Sequence, residues 1–240
     1  APADNVTNFE GIQFLVENPY WEGAKISLYS AGEESIASMP NIKVGKFITQ
    51  VILQNIEVED IDLSNATDLR SAWVQNNPAL QKLDLSYSTI WGQGDKETEG
   101  NGTYGSSLMV LGCPILKEIK LPEKNELKAY RIDIECLDAL ETFDMSNVKM
   151  VAELSIGDLN KDFNLVYPEL TIFYSEDGYA GTYFACSENT FYRESTQAFL
   201  KANYTDIDPD DTVRRLGYTS SLSYDKNKGC RWRTLLNKQK

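Results

Sequence analysis

The chain has 240 residues, 42% of them hydrophobic and 25% charged, enough apolar material for a substantial core and too much for a disordered polymer. Its 36 acidic against 23 basic side chains leave a formal charge of −13, which argues against binding a nucleic-acid backbone, since that needs a basic face. Histidine is absent, which removes Ser-His-Asp triads, Cys-His dyads and His-based zinc sites, and no window approaches the roughly 18 apolar residues of a membrane span.

The chain opens on "APADNVTNF" without an initiator Met, as expected of a mature or trimmed protein whose targeting segment is gone. Residues 1–45 read as an N-terminal cap or a divergent coil around Ile26 and Leu28. From residue 46 a spacing recurs: apolar, two residues, apolar, one residue, apolar. It appears at Ile48-Val51-Leu53, Val58-Ile61-Leu63, Leu69-Ala72-Val74 and Leu80-Leu83-Leu85. It resumes at Leu116-Ile119-Leu121, Leu127-Tyr130-Ile132, Leu140-Phe143-Met145 and Val151-Leu154-Ile156. The starts are 10, 11, 11, 36, 11, 13 and 11 residues apart.

Alternate members carry a signature, "DLSN" at 62–65, "DLS" at 84–86, "KLP" at 120–122 and "DMSN" at 144–147, and the others lack it. One of each makes a coil of about 22 residues, the period of a leucine-rich repeat. The gap of 36 is then one coil plus an insertion, with Leu108 and Val110 in the place of the missing segment. A strand directs alternate side chains to one face, so each coil offers apolar residues that only its neighbours can cover. The expected fold is an α/β repeat solenoid, a leucine-rich repeat with a parallel β-sheet of about five or six such coils between terminal caps. Its outward strand positions include Gln50, Ile52, Ser71, Trp73, Lys128, Arg131, Asp133, Glu153 and Ser155. Trp73 and Arg131 are the anchors that interface statistics favour, with Lys128 and Asp133 beside Arg131.

The insertion 91–105 is long for a structureless connection, and Trp91 and Tyr104 at its base can form a ligand platform or tuck against the core. Cys113 and Cys136 stand at similar distances before Leu116 and Leu140; a disulfide and two buried thiols are both compatible with that placement. "YPELTIFYSEDG" at 167–178 reads as a last half-coil, giving a solenoid over 46–178. The aromatic run at 172–192 suits either a ligand or the packed floor of a cap.

Residues 179–240 read as a C-terminal cap with short helices at 194–204 and 208–217, closed by a Cys186–Cys230 disulfide if the protein is exported. Asp206, Asp208 and Asp210 are spaced like calcium-loop ligands, but the glycine and glutamate such a loop needs are Asp211 and Gly217, so no metal site is expected. The basic tail from Lys226 to Lys240 reads as a solvated terminus.

The stretch "VEDIDLSNATDLRSAWVQNNPALQKLDLSYS" (58–88), with asparagines at 55, 65, 76 and 147, resembles the repeats of cell-surface leucine-rich repeat proteins of Bacteroidetes, over roughly half the chain. The resemblance implies an extracellular or outer-membrane location after signal removal, a lipid anchor lost with the leader, and a place beside a nutrient-uptake complex. The function expected is a non-catalytic module that binds a protein or glycan on its sheet face or at the insertion, without cofactor or nucleic acid. The alternatives are a structural accessory subunit and a glycosidase built on two carboxylates, which requires no histidine.

Overall fold

A computed structural model describes residues 7–17, 25–30, 36–93, 106–160, 162–171 and 182–203, and the backbone of 175–176, 179–180 and 230–233. Its main element is an eight-stranded sheet: β1 (Lys25–Tyr29), β2 (Gln50–Gln54), β3 (Ser71–Gln75), β4 (Ser106–Leu111), β5 (Leu127–Leu137), β6 (Val148–Leu159), β7 (Tyr183–Cys186) and β8 (Cys230–Arg233). The strands lie side by side in chain order; the first seven are parallel, and β8 runs antiparallel to β7. Sequence order and spatial order therefore coincide, with no strand skipped.

The registers account for the apolar spacing. Ile26, Val51, Ala72, Leu108, Ile132, Leu154 and Phe184 form one row across the sheet, and Leu28, Leu53, Val74, Val110, Ile134, Ile156 and Cys186 the next. Both rows face the core. Leu108 and Val110 occupy the register positions expected after the long gap. In β5 the register against β4 shifts between Ala129 and Arg131. This bulge places Tyr130 and Arg131 half-buried in succession, so Ala129 rather than Tyr130 fills the core position there.

The segments carrying the signature form separate short parallel ladders: Ile42 opposite Ile61, Leu83 opposite Ile119, and Phe143 opposite Leu165. Their buried residues share one cluster with the inner rows of the large sheet. The signature has a local cause. Asp62, Asp84 and Asp144 each accept, through Oδ1, the backbone N–H of the serine two residues on, at 2.8, 3.0 and 2.8 Å. These side-chain turns redirect the chain as it leaves the short strand. At 120–122 the third residue is Pro122, which has no N–H to satisfy, and Lys120 stands where the aspartate would be.

A second feature recurs at the end of the long strands. Asn55, Asn76, Gly112, Cys136 and Asp158 follow residues that are in register, and all five have positive φ, between 46° and 64°. Their N–H groups continue the ladder: Asn55 donates to Gln75 O, Asn76 to Leu111 O and Gly112 to Glu135 O, at 2.8–3.0 Å. Asn76 Nδ2 also donates to Asn55 Oδ1 at 2.8 Å.

Helices are sparse for an α/β chain. Three are described: α1 (Ile12–Val16), α2 (Glu188–Phe191) and α3 (Glu194–Asn203), the last matching the helix expected at 194–204. None is long and apolar enough to cross a membrane. The helix expected at 208–217 and the aspartates at 206, 208 and 210 lie outside the described residues. The sheet also reaches beyond 46–178 at both ends, through β1 and through β7 and β8. The aromatics at the C-terminal end pack: Phe184 and Phe191 are buried, Tyr167 stacks on Phe199 at 4.5 Å, and Phe184 meets Phe199 edge-on at 5.4 Å.

The Cys113–Cys136 disulfide does not form. Leu111 pairs with Glu135, so Cys136 aligns with Gly112 and Cys113 falls one position further on. One residue of offset reverses side-chain direction. Cys113 is accordingly buried and Cys136 exposed, both as free thiols. Cys186 and Cys230 are direct partners in the β7–β8 register, though the side chain of Cys230 lies outside the described residues.

Candidate functional site

With the two apolar rows committed to the core, the residues that alternate with them along the long strands form the sheet's outer face. The middle outer row runs Ser27, Ile52, Trp73, Met109, Asp133, Ser155 and Ala185. It divides into two chemistries. Ile52, Trp73 and Met109 make an apolar strip over three neighbouring strands; Ile52 is buried, and Trp73 and Met109 are half-buried. Trp73 Nε1 is shielded and has no hydrogen-bond partner among the described residues.

The other half is charged. Arg131 Nη2 donates to Asp133 Oδ2 at 2.7 Å, and its Nη1 stands 3.6 Å from Glu153 Oε2. The Tyr130 hydroxyl, turned beside Arg131 by the bulge, donates to Glu153 Oε1 at 3.3 Å. Asp133 is only 4% exposed although it points away from the core, and its Oδ1, shielded from solvent, has no hydrogen-bond partner among the described residues. Two residues further along β5, Glu135 accepts from Ser155 Oγ at 3.1 Å. Burial first, then the negative charge of Asp133, pushes the Glu135 carboxyl above its ordinary range, against the Ser155 hydrogen bond.

Of the residues expected to bind, the structure brings Trp73, Arg131 and Asp133 onto one face, with Trp73 two strands from Asp133. Lys128 lies on the far side of the bulge, where its N–H donates to Gly92 O at 2.6 Å, at the base of the insertion. Trp91 is not a platform. It is fully buried in the core cluster, held there by a turn in which its N–H donates to Ser88 Oγ at 2.9 Å. Tyr104 lies outside the described residues. Glu135, Tyr130 and Met109 belong to the same face and went unsingled by sequence. The alternation in "YRIDIEC" carries Glu135, but Tyr130 is outward only because of the bulge, and Met109 only through the register restored after the insertion.

Two grooves lie elsewhere. One, of 870 Å³, runs along the short ladders, lined in part by Lys82, Asp84, Tyr87, Glu118, Lys124 and Asp144. Its charges are largely neutralised: Lys82 pairs with Asp84 at 3.0 Å and Glu118 at 3.3 Å, and Lys120 with Glu118 at 3.2 Å. The other, of 610 Å³, is mainly apolar, between residues 165–170 and α3. Neither groove includes Asp133, Glu135 or Glu153. Among the described residues no group of three or more Cys, Asp or Glu is arranged to hold a metal ion.

No protein-family model matches the chain, and it matches none of the curated proteins and none of the solved structures compared with it.

Proposed function

We propose that the chain is a leucine-rich repeat solenoid, with coils of about 22 residues, and works as a non-catalytic binding module. Registers of 21 residues between Val51 and Ala72 and 22 between Ile132 and Leu154 favour the repeat, as do the three aspartate turns and the positive-φ positions. The ligand is a protein or glycan held on the outer face of the sheet. The observation that carries this is the continuity of the Ile52–Trp73–Met109 strip with the Arg131–Asp133–Glu153 network across adjacent strands. An aromatic anchor beside a preformed charged network is the composition of a binding hot spot.

A raised acid, Glu135, beside a second carboxylate is also the chemistry of a glycosidase. These acids lie on a sheet face and line neither of the two grooves, which favours binding over catalysis. A permanent structural subunit would use the same face. Secretion or surface attachment beside an uptake complex remains the setting that the repeat resemblance favours.

The test is capture of partners from surface and secreted extracts, with a glycan array in parallel, comparing the intact chain with Trp73→Ala and with deletion of residues 94–105. That deletion spares the buried Trp91. A ligand lost in Trp73→Ala and kept in the deletion supports the outer face. A ligand lost only in the deletion moves the site to the insertion.

A further inference from the structure

We infer that Cys186 and Cys230 close a disulfide that fastens the C-terminal strand β8 to the sheet, a redox-dependent staple independent of the outer face. The backbone alone brings the two residues together. They are direct partners in the β7–β8 register, the one antiparallel pair of the eight-stranded sheet. Direct partners lie on the same side of a sheet, with Cα atoms about 4.5 or 5.5 Å apart according to the type of pair. Ser187 turns its N–H away from β8, to Ile156 O of β6 at 3.1 Å. By alternation Cys186 turns its backbone groups toward β8, which makes Cys186–Cys230 the wider, hydrogen-bonded type. Its spacing of about 5.5 Å falls where disulfides are commonest.

The other two cysteines are out of reach. Cys136 follows Glu135 in β5, two strands from β7, and Cys113 follows the end of β4, three strands away. At about 4.8 Å per strand both separations exceed the roughly 7 Å that a disulfide can span. Cys113 is also buried in the core cluster, whereas Cys186 is half-buried at the end of the inner row, within reach of a small oxidant. The topology says what the bond contributes. β8 is the last strand of the sheet and pairs with β7 at four positions, against nine between β5 and β6. A terminal strand held so briefly frays. Joining 186 to 230 closes the whole of 187–229 and removes many conformations from the unfolded chain.

The bond forms by thiol–disulfide exchange. The thiolate of one cysteine attacks a sulfur of a small disulfide such as oxidised glutathione, giving a mixed disulfide and one glutathione thiolate. The thiolate of the second cysteine then displaces the other glutathione. The protein gives up two electrons and two protons, and the glutathione disulfide is reduced to two thiols. For the test, the full chain is equilibrated in glutathione buffers from reduced to oxidised, denatured, alkylated and mapped by mass spectrometry without reduction, with thermal unfolding of each sample. The expected result is a peptide joining Cys186 to Cys230, with Cys113 and Cys136 alkylated. The oxidised chain is expected to melt about 5–10 °C higher, a shift reversed by dithiothreitol. Cys186→Ser and Cys230→Ser are each expected to lose that shift and Cys136→Ser to keep it. Each variant is compared with its own reduced form, so a lower baseline stability does not enter the reading. Absence of the joined peptide in the oxidised buffer, or a bond between other cysteines, would overturn the proposal. A joined peptide with an unchanged Tm would show that β8 needs no fastening, and would overturn it equally.

Discussion

Replacing Arg131 by alanine strips the only cation paired, among the described residues, with a carboxylate that is almost out of solvent. The Asp133 side chain is 6% exposed and Arg131 39% exposed, with 2.7 Å between Nη2 and Oδ2. Breaking a fully buried pair from one side costs about 3–5 kcal/mol, chiefly through the charge left behind. Arg131 is partly solvated, so water can partly replace it and the expected loss is about 2–3 kcal/mol. For a domain of this size that lowers Tm by about 5–10 °C. The assay is urea or thermal unfolding followed by near-UV circular dichroism, on Arg131→Ala, Asp133→Ala and the double variant. Removing the carboxylate as well abolishes the penalty, so the double variant is expected to recover at least about 1 kcal/mol relative to additivity. An Arg131→Ala protein within about 0.5 kcal/mol of the parent, or strict additivity, would refute the reasoning. The same cost makes Arg131→Ala a poor reporter of binding, and Trp73→Ala the better one.

Gly112→Ala forces a side chain onto a residue at φ 64° and places its Cβ 2.6 Å from Asn76 Oδ1, disturbing the Asn76–Asn55 hydrogen bond. The expected loss is about 2 kcal/mol by urea unfolding, smaller when Asn76 is also truncated. Glu135→Gln acts in the opposite sense. Because its carboxyl is raised in the folded chain by burial and by Asp133, with Asp158 adding and Arg131 opposing, the native protein binds that proton more tightly than the unfolded one. Its contribution therefore falls as pH rises through the interval above the ordinary glutamate range. The variant is expected to lack that decline and to be at least as stable as the parent at pH 7, read from unfolding midpoints across pH. A thiol reagent applied to the native protein is expected to modify the exposed Cys136 and spare Cys113, whose thiol burial pushes up to about 11, until the chain unfolds.

The parts of the fold legible in the sequence are those in which residue type is itself the cause. Leu80, Leu83 and Leu85 are each at most 1% exposed, because a strand that buries one face needs apolar residues at that spacing. The Asp-x-Ser signature is equally direct, since the carboxylate makes the turn. The positive-φ series was only half visible. Asparagine marks it at 55 and 76, and glycine and aspartate, which also tolerate positive φ, take the position at 112 and 158; only at Cys136 do neighbours rather than side-chain preference impose the backbone.

Register was the harder quantity. Cys113 and Cys136 stand three and four residues before Leu116 and Leu140, and that single residue of difference, easily passed over in a loose repeat, puts them on opposite faces. The bulge at Tyr130 is invisible to periodicity because tyrosine is acceptable on either face. For the site, alternation was enough to place Trp73, Arg131 and Asp133 outward. The register of Leu108 and Val110 already implied Met109 beside Asp133, though nothing singled that methionine out, and alternation could not foresee that an outward aspartate would be almost buried.

The most direct test of the outer face as the binding surface is hydroxyl-radical footprinting of the chain with and without a captured partner, read residue by residue by mass spectrometry. The account predicts that oxidation of Trp73, Met109 and Tyr130 falls on binding while exposed Tyr87, on the short-ladder side, reacts as before. Protection at Tyr87 with Trp73 and Met109 unchanged would contradict it and move the site to the short ladders.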